Sequence, residues 1–170
     1  YTIIDIYINT NYIKLKAKNM NAILFPGQGS QIVGMGSEFY NNFKIAKKIF
    51  DESDEYLKFK ISQTILKGPD DKLRLTQNTQ PAILVVSYAI FSVLKKEFNF
   101  NFDNTKFFAG HSLGEYSALL CSESLEFKDA LLLLYERGKA MQEAVPIGKG
   151  SMIAILGSKI DEINNFLKEA

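Results

Sequence analysis

A serine lies in a glycine-flanked stretch about two thirds of the way along this 170-residue sequence. The residues Gly110-His111-Ser112-Leu113-Gly114 match the pattern G-x-S-x-G, which marks a sharp strand-to-helix turn that exposes a serine hydroxyl. Glycines are needed on both sides because larger side chains would collide with the strained turn. The spacing therefore predicts that Ser112 is a nucleophile. The alternative is an ordinary connector rich in glycine and serine.

The segments on either side of the serine support the first interpretation. The apolar run 106–109 predicts a buried strand, and residues 113–121 predict a helix of small and apolar side chains. Ser112 would then stand at a helix N-terminus, where free backbone N–H groups favour developing negative charge. His111, the single histidine, is not expected to be the general base, because neighbouring side chains of a strand point to opposite faces.

Composition limits the remaining possibilities. Hydrophobic residues make up 46% and charged residues 23%, as in a globular domain, and the net charge of +1 gives no sign of a nucleic-acid partner. Cys121 is the one cysteine, so no internal disulfide can form and a reducing compartment is expected. We expect Cys121 to pack as a small apolar side chain. One histidine and one cysteine are too few for a zinc site, and the longest apolar run, 82–94, is too short to span a membrane.

The first 19 residues differ from the rest of the chain. They are rich in Ile, Tyr, Asn and Lys, and the first methionine is Met20. We interpret residues 1–19 as an extension outside the core, with two alternatives. It is the remainder of a basic targeting leader, or it is an added edge strand or disordered arm.

Beyond Met20, apolar runs and helical spacing predict an alternation of strands and helices. The next helix after the segment 76–81 is expected to begin at Ala82, with Pro81 in its first turn. The predicted strands are 22–25, 106–109 and 151–156, and the predicted helices are 37–57, 61–66, 82–98, 113–121, 127–145 and 159–170.

Four segments in order carry a family resemblance: Phe25-Pro26-Gly27-Gln28-Gly29-Ser30-Gln31, Thr79-Gln80-Pro81-Ala82, Gly110-His111-Ser112-Leu113-Gly114-Glu115 and Arg137-Gly138. Together they resemble the malonyl-CoA:acyl carrier protein transacylases of fatty-acid biosynthesis. The resemblance implies an α/β fold, an α/β-hydrolase-like core with a parallel sheet and an inserted ferredoxin-like subdomain. Residues 20–148 would form the N-terminal part of the core, and 149–170 the start of the small subdomain.

The resemblance also implies roles for individual residues. Ser112 would accept the malonyl group from malonyl-CoA and pass it to the phosphopantetheine thiol of acyl carrier protein, with no bound cofactor. The backbone N–H groups of Gln28 and Leu113 would form the oxyanion hole. Arg137 would hold the malonyl carboxylate, although without the resemblance the sequence favours a surface arginine on a solvated helix face. The remaining pocket residues it suggests are Asn78, Gln80 and His111.

In this family the general base is a different histidine, roughly a hundred residues after the serine. We therefore expect the chain to be the N-terminal part of a longer enzyme, inactive alone. Two alternatives stay open at this stage. The first is a serine thioesterase or other hydrolase on a related core, and the second is a non-catalytic fragment that binds a carrier protein. The compartment also stays open between the cytoplasm and a plastid or other organelle.

Overall fold

The computed structural model describes residues 21–144 and 157–169. Strands β1 (Asn21–Phe25) and β2 (Thr105–Gly110) pair in parallel, with Ala22 opposite Phe107 and Phe25 opposite Gly110. This register brings the carboxyl ends of the two strands together, so the turns that follow them start at one edge of the sheet. The predicted α/β class with a parallel sheet is confirmed.

Helices supply most of the described fold, and one of them is central. The helices are α1 (Ser37–Asn42), α2 (Lys44–Leu57), α3 (Ile61–Lys67), α4 (Asp70–Arg74), α5 (Thr76–Lys96), α6 (Leu113–Cys121), α7 (Phe127–Ala144) and α8 (Ile160–Glu169). Helix α5 packs against α2, α6 and α7. From Ala82 to Leu94 most of its residues are apolar, as a helix surrounded by protein requires. Phe50, Leu84, Val85, Leu131 and Leu134 are fully buried where these helices meet.

A second, smaller apolar cluster joins the sheet to the helices. It contains Phe25, Phe91, Ala118 and Cys121. Cys121 is thus buried among apolar side chains, as expected, and this burial raises the pKa of its thiol to about 12. The other face of the sheet leaves Leu24 exposed.

The predicted helix 37–57 is wrong in one respect, because it is two helices. Phe43 interrupts it in an extended conformation with φ of −125°. The ring of Phe43 packs against Phe39 and Phe98, with centroid distances of 6.0 and 5.7 Å. The apolar spacing continues across the break, so periodicity alone could not locate it.

The predicted start of the helix 82–98 is also wrong. Helix α5 begins at Thr76, and Pro81 lies inside it. The added turn is fastened to the preceding segment by side-chain hydrogen bonds: the Asn78 amide donates to the Lys72 carbonyl at 2.9 Å, and the Thr79 hydroxyl donates to the Leu73 carbonyl at 2.6 Å. These bonds stabilise a first turn in spite of the N–H that Pro81 lacks.

The remaining comparisons of prediction with structure concern one short helix and the two ends of the chain. Sequence reasoning missed α4, whose acidic first turn and basic last turn match the helix dipole. The predicted extension 1–19 and strand 151–156 lie outside the described residues, whereas the helix predicted at 159–170 appears as α8. Across the described ranges no helix is long and apolar enough to cross a membrane.

Candidate active site

Ser112 occupies a strained turn between β2 and α6. Its φ of 54° and ψ of −109° are sparsely populated for a residue with a side chain, and the residue is exposed. The two flanking glycines explain how the turn closes. A Cβ on Gly110 would lie 2.1 Å from the carbonyl of Gly114, and a Cβ on Gly114 would lie 2.6 Å from the Phe25 carbonyl oxygen. The strand, turn and helix therefore pack too closely for any other residue.

The N-terminus of α6 presents a free donor beside the serine. The N–H of Gly114 donates to the His111 carbonyl at 2.9 Å, and that of Glu115 donates to the Ser112 carbonyl at 3.2 Å. Over residues 21–144 and 157–169, the N–H of Leu113 has no acceptor. A donor in this position can stabilise negative charge that develops on an oxygen next to Ser112.

The glycine-rich loop after β1 lies against the serine turn. A Cβ on Gly27 would come within 2.7 Å of the His111 ring nitrogen Nδ1 and 3.0 Å of the His111 carbonyl oxygen. The loop is braced internally, because the Ser30 hydroxyl donates to the Gly27 carbonyl at 2.8 Å. The side chain of Gln28 donates from Nε2 to the Thr76 hydroxyl at 3.1 Å, at the start of α5. Within the described part of the chain the backbone N–H of Gln28 is a second donor that has no acceptor.

Arg137 reaches the serine from helix α7. Its Nη2 donates to the Ser112 hydroxyl oxygen at 2.9 Å, and its Nη1 donates to the side-chain oxygen of Gln80. The guanidinium carbon also lies 5.9 Å from the centre of the Tyr116 ring, within cation–π range. The side chain is half-buried. Arg137 thus places a positive charge directly against the exposed serine.

Gly138 permits the close packing that brings Arg137 to this position. A Cβ at residue 138 would lie 2.6 Å from the Cα of Gln77 and 2.8 Å from the carbonyl oxygen of Thr76. Both are backbone atoms of the first turn of α5, so no rotamer change could relieve the contact. Helix α7 therefore approaches α5 with only a glycine between the two backbones.

The structure brings some of the predicted site residues together and separates one. Ser112, Arg137 and Gln80 form a continuous hydrogen-bonded set, with His111 and the Gln28 loop beside it. His111 is exposed and, among the described residues, makes no hydrogen bond to Ser112. Asn78 is buried and its amide is turned toward Lys72 in α4, away from this set, so the expectation that it lines the pocket receives no support from the geometry.

Sequence reasoning missed three contacts of this site. Tyr116 lies one helical turn after the serine, and Met141 lies one turn after Arg137, so the spacing i, i+4 could have indicated both. Thr76 could not have been found in this way, because it was assigned to a segment before the helix. No three His, Cys, Asp or Glu side chains gather as metal ligands in the described ranges. The groups available for chemistry at this site are a serine hydroxyl, an arginine side chain and backbone N–H donors.

Comparisons with known proteins agree with the chemistry of this site. Residues 23–165 match the family model described as "Acyl transferase domain". The chain is 50% identical over 136 residues to the malonyl CoA-acyl carrier protein transacylase of Bacillus subtilis strain 168, an alignment that covers 80% of this chain and 42% of the relative.

Solved structures are similar in the same region. An acyl-carrier-protein-S-malonyltransferase from Bartonella henselae superposes with a TM-score of 0.80 at 43% identity, covering 88% of this chain and 48% of that one. A malonyl-transacylase solved in complex with a type II PKS acyl-carrier protein gives a TM-score of 0.78 at 40% identity, covering 87% and 47%. The chain therefore spans somewhat less than half the length of these relatives.

Proposed function

The chain belongs to the acyl transferase domain family, and on that premise we propose that the complete protein transfers malonyl groups from malonyl-CoA to acyl carrier protein. The proposal is supported by the names of the relatives, which include malonyl CoA-acyl carrier protein transacylases, and by a similar structure solved with a carrier protein. The reaction needs no bound cofactor, because a serine ester is a sufficient intermediate.

The single observation that carries the proposal is the hydrogen bond from Arg137 to the serine. A malonyl group attached to the oxygen of Ser112 has its free carboxylate only a few bonds away. The guanidinium at 2.9 Å from that oxygen is therefore in reach of the carboxylate, and its planar fork can bind both carboxylate oxygens. An acetyl group has no carboxylate for Arg137 to bind.

The proposed reaction has two similar halves. The oxygen of Ser112 attacks the thioester carbonyl of malonyl-CoA, an O–C bond forms, and the C–S bond breaks as coenzyme A leaves. The serine proton passes to a general base, which the family resemblance assigns to a histidine later than residue 170. The thiol of the carrier protein then gives its proton to the same base and attacks the ester carbonyl. A C–S bond forms, the O–C bond to Ser112 breaks, and the serine oxygen takes the proton back from the base. In both halves the N–H groups of Leu113 and Gln28 would stabilise the tetrahedral oxyanion.

The test compares malonyl and acetyl transfer by Arg137→Ala in the full-length protein. Loss of a charge-assisted bidentate pair should cost on the order of 2–4 kcal/mol, so malonyl transfer should fall roughly 30- to 1,000-fold while acetyl transfer is spared or improved. Lys139→Ala is the matched control, because it removes a positive charge two residues away that pairs with Glu136. Equal losses for both acyl groups would assign Arg137 a structural role. Release of free malonate in place of transfer would indicate a hydrolase.

A further inference from the structure

Gln80 is a fully buried polar side chain whose amide oxygen and amide nitrogen each contact a partner. It has no exposed surface, and buried amides in folded proteins are almost always hydrogen-bonded. Its Oε1 accepts from Nη1 of Arg137, and its Nε2 lies 3.3 Å from the sulfur of Met141. Arg137 and Met141 are one turn apart on the same face of α7. The amide of Gln80 is therefore fixed by two side chains of the neighbouring helix.

The orientation of this amide follows from the chemistry of its partners. A guanidinium has five N–H donors and no acceptor, so it must meet the oxygen of Gln80 and not the nitrogen. The amide N–H then points to the thioether, which is a weak acceptor. With one edge on Gln80 and another N–H on Ser112, the guanidinium plane of Arg137 is held in one orientation beside the nucleophile.

The neutrality of Gln80 matters as much as its position. A neutral amide oxygen anchors the arginine and leaves its positive charge available to a second acceptor. A carboxylate at the same place would form the bidentate ion pair itself and occupy the group that the substrate needs. A purely apolar side chain would leave this half-buried N–H of Arg137 without its partner.

We propose that Gln80 is a positioning residue that sets selectivity for acyl groups carrying a free carboxylate, by anchoring Arg137 without neutralising its charge. Gln80 acts through Arg137 and does not itself contact the reacting atoms. This inference rests on the proposed malonyl transfer, because it assumes that Arg137 binds the substrate carboxylate. It adds a second residue, on a different helix, to the determinants of acyl-group choice.

The experiment measures formation of the acyl-enzyme at Ser112 from malonyl-CoA and from acetyl-CoA in the full-length protein. Gln80→Glu should lower the malonyl-to-acetyl rate ratio by about tenfold or more, because the new carboxylate competes for Arg137. Gln80→Met preserves length and apolar volume but removes the acceptor. It should raise the KM for malonyl-CoA several-fold and lower the malonyl-to-acetyl rate ratio in the same direction as Gln80→Glu.

Ser92→Ala is the matched control, because Ser92 is also a buried polar residue of α5 but lies in a different part of the helix. It should leave the ratio unchanged even where it lowers the melting temperature. If Gln80→Glu fails to fold, Gln80→Met decides the question through the same ratio. An unchanged ratio in the folded variants would overturn the inference while leaving malonyl transfer intact. A wild-type protein that forms no malonyl-serine would overturn the proposed function instead.

Discussion

Gly138→Ala tests whether the packing of two helices, and not Arg137 alone, places the guanidinium at the serine. The added Cβ would lie 2.6 Å from the Cα of Gln77 and 2.8 Å from the carbonyl oxygen of Thr76. Because both are backbone atoms, relief requires α7 to move away from α5. A retreat of about 0.8 Å would restore ordinary van der Waals contact. The same shift would stretch the 2.9 Å bond between Arg137 and Ser112 beyond hydrogen-bond range.

The expected effects on stability and on selectivity are of similar size and are measured separately. Overpacking a helix contact lowers the free energy of unfolding by about 1–3 kcal/mol. Replacing a helical glycine by alanine raises it by about 1 kcal/mol, because alanine has the higher helix propensity. The net loss of stability should therefore be about 0–2 kcal/mol. Malonyl acylation of Ser112 should nevertheless fall by about tenfold, since a charge-assisted hydrogen bond is lost.

The assay combines a urea denaturation curve with initial rates of acyl-enzyme formation from malonyl-CoA and acetyl-CoA. Glu143→Ala is the control, because Glu143 is exposed on the same helix. It should change neither rate. The reasoning is refuted if Gly138→Ala keeps the wild-type malonyl-to-acetyl ratio, or if both rates fall together in proportion to lost stability.

Two further predictions follow from the turn and from the small apolar cluster. Gly110→Ala should destabilise the protein by about 3 kcal/mol or more in urea denaturation, because its Cβ would lie 2.1 Å from backbone atoms of Gly114, and an unchanged midpoint would contradict the described turn. Cys121 should react with iodoacetamide at pH 8 roughly 10³-fold more slowly in the folded than in the unfolded protein, because burial raises its thiol pKa from 9.0 to about 12 and the thiolate is the reactive form. Labelling that is equally fast with and without denaturant would show that the cluster is open.

The serine turn could be predicted from the sequence because its determinants are local. The flanking glycines, the apolar strand and the small residues after the serine are adjacent in the chain, and α6 has the predicted bounds Leu113–Cys121. The family resemblance of the four motif segments, and not their spacing, implied which residues would meet. In contrast, the break at Phe43 is accompanied by a contact with Phe98, which follows the end of α5, and the pattern of apolar residues does not reveal this contact.

The parts of the site that could not be predicted depend on contacts between helices. The sequence shows Gln80 and Arg137 as two polar residues 57 positions apart, and nothing local connects them. Pro81 favoured a helix that begins nearby, but the side chain of Thr79 holds an earlier turn in place through the Leu73 carbonyl. The geometry of the arginine is therefore a tertiary property, set by the approach of α7 to α5 at Gly138.

The most direct test of the account is the intact mass of the full-length protein after brief mixing with malonyl-CoA, followed by peptide mapping. We expect one malonyl group on the peptide that contains Ser112, no adduct in Ser112→Ala, and a normal adduct in Ser122→Ala, whose serine lies at the other end of the same helix. Addition of acyl carrier protein should then remove the malonyl group from the enzyme and place it on the carrier. A malonyl adduct that persists in Ser112→Ala, or its absence from the wild-type protein, would contradict the account.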